Sequence, residues 1–224
     1  MKNELNNYLV EFLTENRRQT FQKVIEKRTR YLTVVLENIY QSQNASAVLR
    51  TCDCFGVQDV HIIENSNSFS VNPKVVMGAS KWLTLHNYSE KENNTLNALT
   101  SLKAKGYRII ATTPHINDTS LDDFDVTEGK TALVFGTELK GISQNVIERA
   151  DGFLKIPMHG FTESFNISVS VAIILHHLTL KLKESGIEYQ LTENEKEILM
   201  LEWLKKSIKG ADLLIREFLE RSKT

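Results

Sequence analysis

Apolar positions along this chain fall into two kinds of run. Short β-branched runs stop at polar or glycine-containing loops, and longer stretches repeat at helical spacing. Tyr31 to Glu37 (YLTVVLE), Asp59 to Ile63, Tyr107 to Ala111, Thr131 to Phe135 and Phe153 to Met158 are of the first kind and predict strands, with a further short strand expected at Trp82 to His86. Ala45, Val48, Leu49 and Cys52 predict a helix capped by Ser42 or Asn44 and closed by Gly56 at the C′ position. Leu96, Leu99 and Leu102 mark a second helix ending at Gly106, Ser143 to Ala150 a short third, and a long apolar helix begins near Ser164. Residues 64–81 read as a loop, and the acidic stretch 117–129 as a solvated surface loop.

The order strand, helix, strand is a crossover unit, so an α/β fold with a mostly parallel sheet is expected. Leu5, Leu9, Phe12 and Leu13 predict an amphipathic helix within a basic extension, residues 1–30. Composition shifts after Gly186, and residues 187–224 read as a C-terminal extension of one or two amphipathic helices around Leu199, Trp203, Leu204 and Phe218. The α/β domain proper is then 31–186. In open α/β sheets ligands sit beyond the carboxyl ends of the strands. The ligand is therefore expected in Thr131 to Leu180, where two strands each run into a tight loop.

Composition narrows the class. With 224 residues, 41% apolar and 25% charged, the chain reads as one soluble domain with terminal additions, and a formal charge of −1 gives no global nucleic-acid signal. The apolar run Ile167 to Leu175 is too short to span a bilayer, and residues 1–30 have no signal-peptide core, so a cytosolic location is expected. Cys52 and Cys54, the two cysteines, are expected to be buried and reduced. No spacing of His and Cys suggests a metal site. The six histidines read as structural, with His176 and His177 covering or capping the end of an apolar helix.

The loop Gly136-Thr-Glu-Leu-Lys-Gly141-Ile142 has phosphate-loop spacing, but Ile142 stands where the lysine is needed, and no GxGxxG follows the first strand. A triphosphatase and a dinucleotide-binding fold are both disfavoured. What remains is a site built from backbone at three strand ends: Thr112-Thr113, Gly136 to Gly141, and Ile156 to Phe165. It suits an uncharged adenine-like group flanked by Leu133, Ile156 and Phe165. Arg50 is either a surface arginine lying over apolar neighbours or an anion-holding one. The basic residues of 17–30 are either a solvated helix face or a phosphate-contacting arm.

Three stretches, taken together, resemble a known family. Asn44-Ala-Ser-Ala-Val-Leu-Arg50-Thr, Leu133-Val-Phe-Gly136-Thr-Glu138-Leu-Lys-Gly141-Ile-Ser143, and Ile156-Pro157-Met158 with Ser164-Phe-Asn166-Ile-Ser168-Val-Ser170 are similar in order and spacing to the three motifs of SpoU-class RNA 2′-O-ribose methyltransferases. The match covers roughly residues 31–180. Cys52-Asp53, Lys81-Trp82 and the helical C-terminal extension look most like the branch that methylates the D-loop guanosine of tRNA. Ser46 stands where that family often has glycine, and Leu139-Lys140 precede Gly141 where the tRNA branch often has an aromatic.

The resemblance implies the SPOUT α/β fold with a deep C-terminal trefoil knot, S-adenosylmethionine as cofactor, and a homodimer with the site near its interface. It implies Arg50, Asn44, Glu138, Ser164 and Asn166 as catalytic residues. Thr112, Gly136, Gly141, Ile156, Met158 and Phe165 would contact the cofactor. Arg17, Arg18 and Lys23 are the residues expected to contact tRNA. Methylation of ribosomal RNA or of a wobble nucleotide, and a non-catalytic RNA-binding role, stay open beside that reading.

Overall fold

The computed structural model describes residues 2–90, 92–113, 119–137 and 140–221. Two helices come first, α1 (Lys2–Val10) and α2 (Glu15–Ile25). Strands and helices then alternate: β1 (Leu32–Glu37), α3 (Ser42–Cys54), β2 (Asp59–Ile63), the single turn α4 (Pro73–Val76), β3 (Thr84–Tyr88), α5 (Asn94–Ala104), β4 (Arg108–Thr112), the short β5 (Thr119–Ser120), β6 (Thr131–Phe135), α6 (Gln144–Arg149), β7 (Gly152–Lys155) and the long α7 (Ile167–Ser185). The helices α8 (Glu193–Ser207) and α9 (Ala211–Arg221) follow. The chain divides into two compact units: Arg30–Tyr189, and the residues up to Thr29 together with those from Gln190.

The central unit is built on a seven-stranded sheet in the order β3-β2-β1-β6-β4-β7-β5, every neighbouring pair parallel. Parallel strands require crossovers that cover both faces, which is why β1, β2 and β6 are buried at every position. Val34, Leu36, Val60, Ile62 and Leu133 pack on one face with Val48 and Leu49 of α3 and Val171 and Leu175 of α7. Val35, Ile63, Ala132 and Val134 pack on the other with Leu99 and Leu102 of α5 and Val146 of α6. All the strands point the same way, so their carboxyl ends share one edge of the sheet.

Local chemistry moves several boundaries from those expected. A 3₁₀ turn at Ala79–Lys81, with the Trp82 N–H donating to the Ala79 carbonyl at 3.0 Å, delays β3 to Thr84. β7 ends at Lys155 rather than Met158, and α7 starts at Ile167 because the Asn166 side chain caps it by accepting from the Ser168 N–H. Neither Ser42 nor Asn44 caps α3: the N-cap is Gln41, which makes no side-chain cap bond, and the Asn44 amide bonds elsewhere. The acidic stretch is not wholly solvated. Leu121, Phe124 and Val126 are buried in the main core, while Asp122, Asp123 and Asp125 face outward. Cys52 is buried as expected, but Cys54 is exposed. His176 and His177 sit in the middle of α7 rather than at its end, His176 edge-on to Phe55 at 6.1 Å.

In the terminal unit, helices from the two ends of the chain pack on each other. Phe21 meets Trp203 edge-on at 5.5 Å, and the Arg28 guanidinium lies over the Trp203 ring at 5.3 Å. Asn6 Nδ2 donates to the Glu197 carbonyl at 2.9 Å, and Tyr8 lies 5.3 Å from Phe218. Thr192 and Glu195 form a capping box that starts α8.

On the α5 face, toward the start of β2 and β3, lies a cluster of titratable groups. His61 is buried, stacks on His86 at 4.4 Å, and its Nδ1 is 3.0 Å from the Tyr88 hydroxyl. Asp59 meets Arg30 at 3.1 Å and His86 at 3.6 Å. Burial, then the charges of His86 and Lys105, hold His61 down to about 3, against the opposing pull of Asp59. Burial alone would raise Asp59, but His86 and Arg30 outweigh it and leave its carboxyl below the ordinary value.

Both shifts act in one direction. Between about pH 6.5 and 3 the unfolded chain takes up a proton that native His61 refuses, and below the ordinary carboxylate range the Asp59 ion pair is lost as well. Acid should therefore destabilise the fold, His61 contributing a slope of up to about 1.4 kcal/mol per pH unit. Guanidinium unfolding monitored by circular dichroism at pH 7 and pH 5 measures this slope, and His61→Leu should flatten it by about one proton's worth.

Candidate active site

The sheet edge that carries the strand ends holds a cavity of about 420 Å³. Three loops and the start of one helix form it. Thr112 and Thr113 come from the end of β4, Phe135 to Thr137 with Lys140 and Gly141 from the loop after β6, and Leu154 to Ile156 with Met158 from the end of β7 and its loop. Ser164, Phe165 and Asn166 lead into α7, whose Ile167, Ser170 and Ile174 close the wall.

The loop after β6 folds back on itself. The Thr137 N–H donates to the Gly141 carbonyl and the Gly141 N–H to the Thr137 carbonyl, both at 2.9 Å. A Cβ on Gly136 would overlap the Gly141 carbonyl and the Ile142 nitrogen, so no other residue fits there. Gly141 has φ +65°, the left-handed region that glycine enters without cost. At the next strand, Thr112 Oγ1 donates to the Val134 carbonyl at 2.9 Å and ties the end of β4 to β6.

Beneath this loop lies a carboxylate that the sequence pattern does not single out. Glu37 ends β1 and is 1% exposed. Its Oε1 accepts from Thr95 Oγ1 at 2.6 Å and from Ser143 Oγ at 2.7 Å, and its Oε2 from the Ser143 N–H at 2.9 Å. Glu37 thus fixes the far end of the Gly136–Ser143 loop and the start of α6 to the central strand. A lone acidic residue closing a buried β-branched run was the one available signal.

A second bond joins two of the sequence stretches across the fold. Asn166 Nδ2 donates to Asn44 Oδ1 at 3.1 Å, while Asn44 Nδ2 donates to Gln41 Oε1 at 3.1 Å. The cap of α7 is thereby tied to the first turn of α3. Arg50 lies six residues further along α3, about 9 Å along its axis. It is exposed and does not line the cavity.

The expected site residues can now be placed. Thr112, Gly136, Gly141, Ile156, Met158 and Phe165 all line the cavity, as do Ser164 and Asn166. Asn44 touches that group through Asn166, and Arg50 stands apart from it. Glu138 lies outside the described residues. Leu133 does not flank the cavity: it is fully buried in the core, and Leu154 and Ile174 take that place. In the terminal unit, Arg17 and Lys23 are exposed, Arg17 near the Phe21 ring. Arg18 is half-buried, donating to the Val10 carbonyl at 3.3 Å. Among the described residues no three His, Cys, Asp or Glu side chains form a group that could hold a metal, and no helix is long and apolar enough to cross a membrane.

A parallel sheet with a backbone-lined cavity beyond its carboxyl ends, walled by residues of the second and third of these stretches and tied to the first through Asn44, is the arrangement expected of a SpoU-type methyltransferase. Residues 31–176 match the model of the SpoU rRNA Methylase family, and the chain belongs to that family. It is 43% identical to the tRNA (guanosine(18)-2'-O)-methyltransferase of Borreliella burgdorferi over 90% of each chain. It is 32% identical to the enzyme of the same name from Thermus thermophilus, over 86% of this chain and 98% of the other. Among solved structures, the A. aeolicus TrmH/SpoU tRNA modifying enzyme superposes with a TM-score of 0.77 at 30% identity, covering 87% of this chain and 98% of that one.

Glu37→Ala should leave three buried donors without an acceptor and cost about 3 kcal/mol of stability, read by chemical denaturation. Glu37→Gln, which keeps one acceptor and can donate to both hydroxyls, should cost less than half of that.

Proposed function

We propose that this chain transfers a methyl group from S-adenosylmethionine to a ribose 2′-hydroxyl of tRNA, the D-loop guanosine at position 18 being the target. The observation that carries the reading is the cavity itself, walled by residues of the second and third stretches that resemble the family motifs and tied to the first by the Asn44–Asn166 bond. The relative that matches nine-tenths of the chain, and others that match more than four-fifths of it, bear that activity in their names.

The residues present fit the cofactor. A cavity of about 420 Å³ lies in the range of small-molecule sites. Backbone groups around Gly136 and Gly141 suit an adenine edge, Leu154, Ile156 and Ile174 suit its faces, and Lys140 and Lys155 bring positive charge suited to a carboxylate. When bound, the sulfonium offers an electrophilic methyl group; transfer breaks its C–S bond, forms a C–O bond at the 2′-oxygen and releases the hydroxyl proton.

The chain's part is positioning and proton handling. Arg50 holds the RNA phosphate beside the target ribose with its fixed fork of donors and polarises the 2′-hydroxyl. It is not the base itself, because a guanidinium keeps its proton in a protein; a phosphate oxygen of the RNA assists the proton's departure. Asn44 and Asn166 keep the Arg50 helix in register with the cavity wall, Ser164 acts at the same rim, and Glu138 is the acidic residue of the second motif. The exposed apolar positions Phe165, Val169 and Leu180, on and just before α7, support a homodimer built on that helix. Threading of the C-terminal part into a knot and a cytosolic location belong to the same reading.

Transfer of labelled methyl from S-adenosylmethionine to unmodified tRNA transcripts, followed by nucleotide mapping, tests it. Label is expected on the ribose of guanosine 18, with Arg50→Lys slowed at least tenfold at saturating cofactor. Label on ribosomal RNA or on a wobble nucleotide would move the substrate, and no transfer to any RNA would favour a binding protein.

The arm in the terminal unit makes a separate contribution. Arg17 and Lys23 are solvent-facing cations suited to phosphate. Replacing both by Ala should lower the slope of log affinity against log salt by about 1.5, measured by filter binding of tRNA.

A further inference from the structure

A tyrosine stands exposed beside the site, on a backbone held from both sides. Tyr40 is 75% exposed in the loop between β1 and α3. Among the described residues its ring has no aromatic partner and its hydroxyl no hydrogen bond. Single exposed aromatics are ordinary on protein surfaces, so exposure alone decides nothing. The backbone on either side is what distinguishes this one.

Asn38, two residues before it, has φ +54°, a left-handed conformation that few residues other than glycine and asparagine adopt. Four hydrogen bonds hold it there. Its N–H donates to the Ile63 carbonyl at 2.8 Å, its Oδ1 accepts from the N–H groups of Asn65 and Ser66 at 2.7 and 3.0 Å, and its carbonyl accepts from Asn67 Nδ2 at 2.7 Å. Ile39 is buried. On the other side Gln41 stands at the N-cap position of α3 and its side chain accepts from Asn44, which in turn accepts from Asn166 on the cavity rim. Tyr40 is thus next in the chain to a residue two hydrogen bonds from the cavity, and it points an uncovered ring away from the core on a fixed loop.

Resting on the function proposed above, we infer that Tyr40 is a stacking surface for an unpaired RNA base adjoining the nucleotide whose ribose enters the cavity. A ribose cannot reach a cavity walled by three loops while its base and neighbours remain fully stacked. Unstacking exposes a base face, and a tyrosine on a held backbone, with only two side-chain torsions to fix, covers it at little cost in side-chain freedom. Stacking also suits this chain's charge. With a formal charge of −1 the molecule has little overall attraction for RNA, and a base–aromatic contact needs no counterion release. The two kinds of contact therefore separate experimentally: loss of a cation lowers the salt slope of binding, whereas loss of a stacking ring weakens binding at every salt concentration alike.

The test compares Tyr40→Ala, Tyr40→Phe and Tyr40→Leu in the full chain. Tyr40→Ala should raise the KM for tRNA about tenfold to a hundredfold, with the dissociation constant for S-adenosylmethionine, measured by calorimetry, unchanged and the salt slope of tRNA binding unchanged. Tyr40→Phe should restore the KM, because the ring face is kept; Tyr40→Leu should not, because bulk without a π face does not stack equally well. A second readout is free of catalysis: quenching of 2-aminopurine placed beside the target guanosine in a D-loop hairpin, expected with the wild-type chain and absent with Tyr40→Ala. Wild-type tRNA kinetics and unaltered quenching in Tyr40→Ala, or full rescue by Tyr40→Leu, would overturn the inference. A wild-type chain that quenches the probe in a Tyr40-dependent way but transfers no methyl group would leave the stacking surface standing and overturn the function.

Discussion

A carboxylate cannot be buried at the end of a central strand unless donors come to it, and much of the site's geometry follows from that requirement. Glu37 is nearly inaccessible, so its oxygens draw Thr95 from the start of α5 and Ser143 from the start of α6. Satisfying the charge anchors the loop after β6 at its far end. The loop's near end is fixed by Gly136, whose missing side chain lets Gly141 and Ile142 close over it. The paired backbone bonds of Thr137 and Gly141 close the loop between these two anchors, and Phe135, Met158, Phe165 and Ile174 complete the cavity wall.

The parallel sheet supplies the other half of the arrangement. Because β4, β6 and β7 run the same way, three separate loops are delivered to one edge. The Asn44–Asn166 bond then brings in a fourth element from the far side of β1. The residues that line the cavity and Arg50 thus stand on different elements, joined by this pair of side-chain amides and by the packing of Val48 and Leu49 of α3 with Val171 and Leu175 of α7.

The strands were legible because both sheet faces are buried, so YLTVVLE and TALVF read as continuous apolar runs. The cavity-lining positions Thr112, Gly136, Gly141, Ile156, Met158 and Phe165 were legible because glycine and strand ends locate backbone-built sites even without their ligand. Boundaries shifted where side-chain to backbone bonds decide them, as at Asn166 and at the turn before Thr84, since periodicity carries no record of such bonds. The partial burial of 117–129 was hidden by its aspartates, which outnumber the three apolar anchors between them. Glu37 was missed for a deeper reason: its partners are 58 and 106 residues away, and no local pattern encodes them.

The pairing of the two chain ends has a consequence for biosynthesis. The helices α1 and α2 leave the ribosome well before α8 and α9, yet the surfaces that bury Leu9, Phe21 and Ile25 come from those later helices. At ordinary elongation rates the intervening residues take roughly 10–30 s to make. During that time the sheet unit, whose strands are all present by Lys155, can form around its own core. The amino-terminal helices meanwhile wait with an uncovered apolar face, which gives a nascent-chain chaperone a defined interval and a defined segment on which to act.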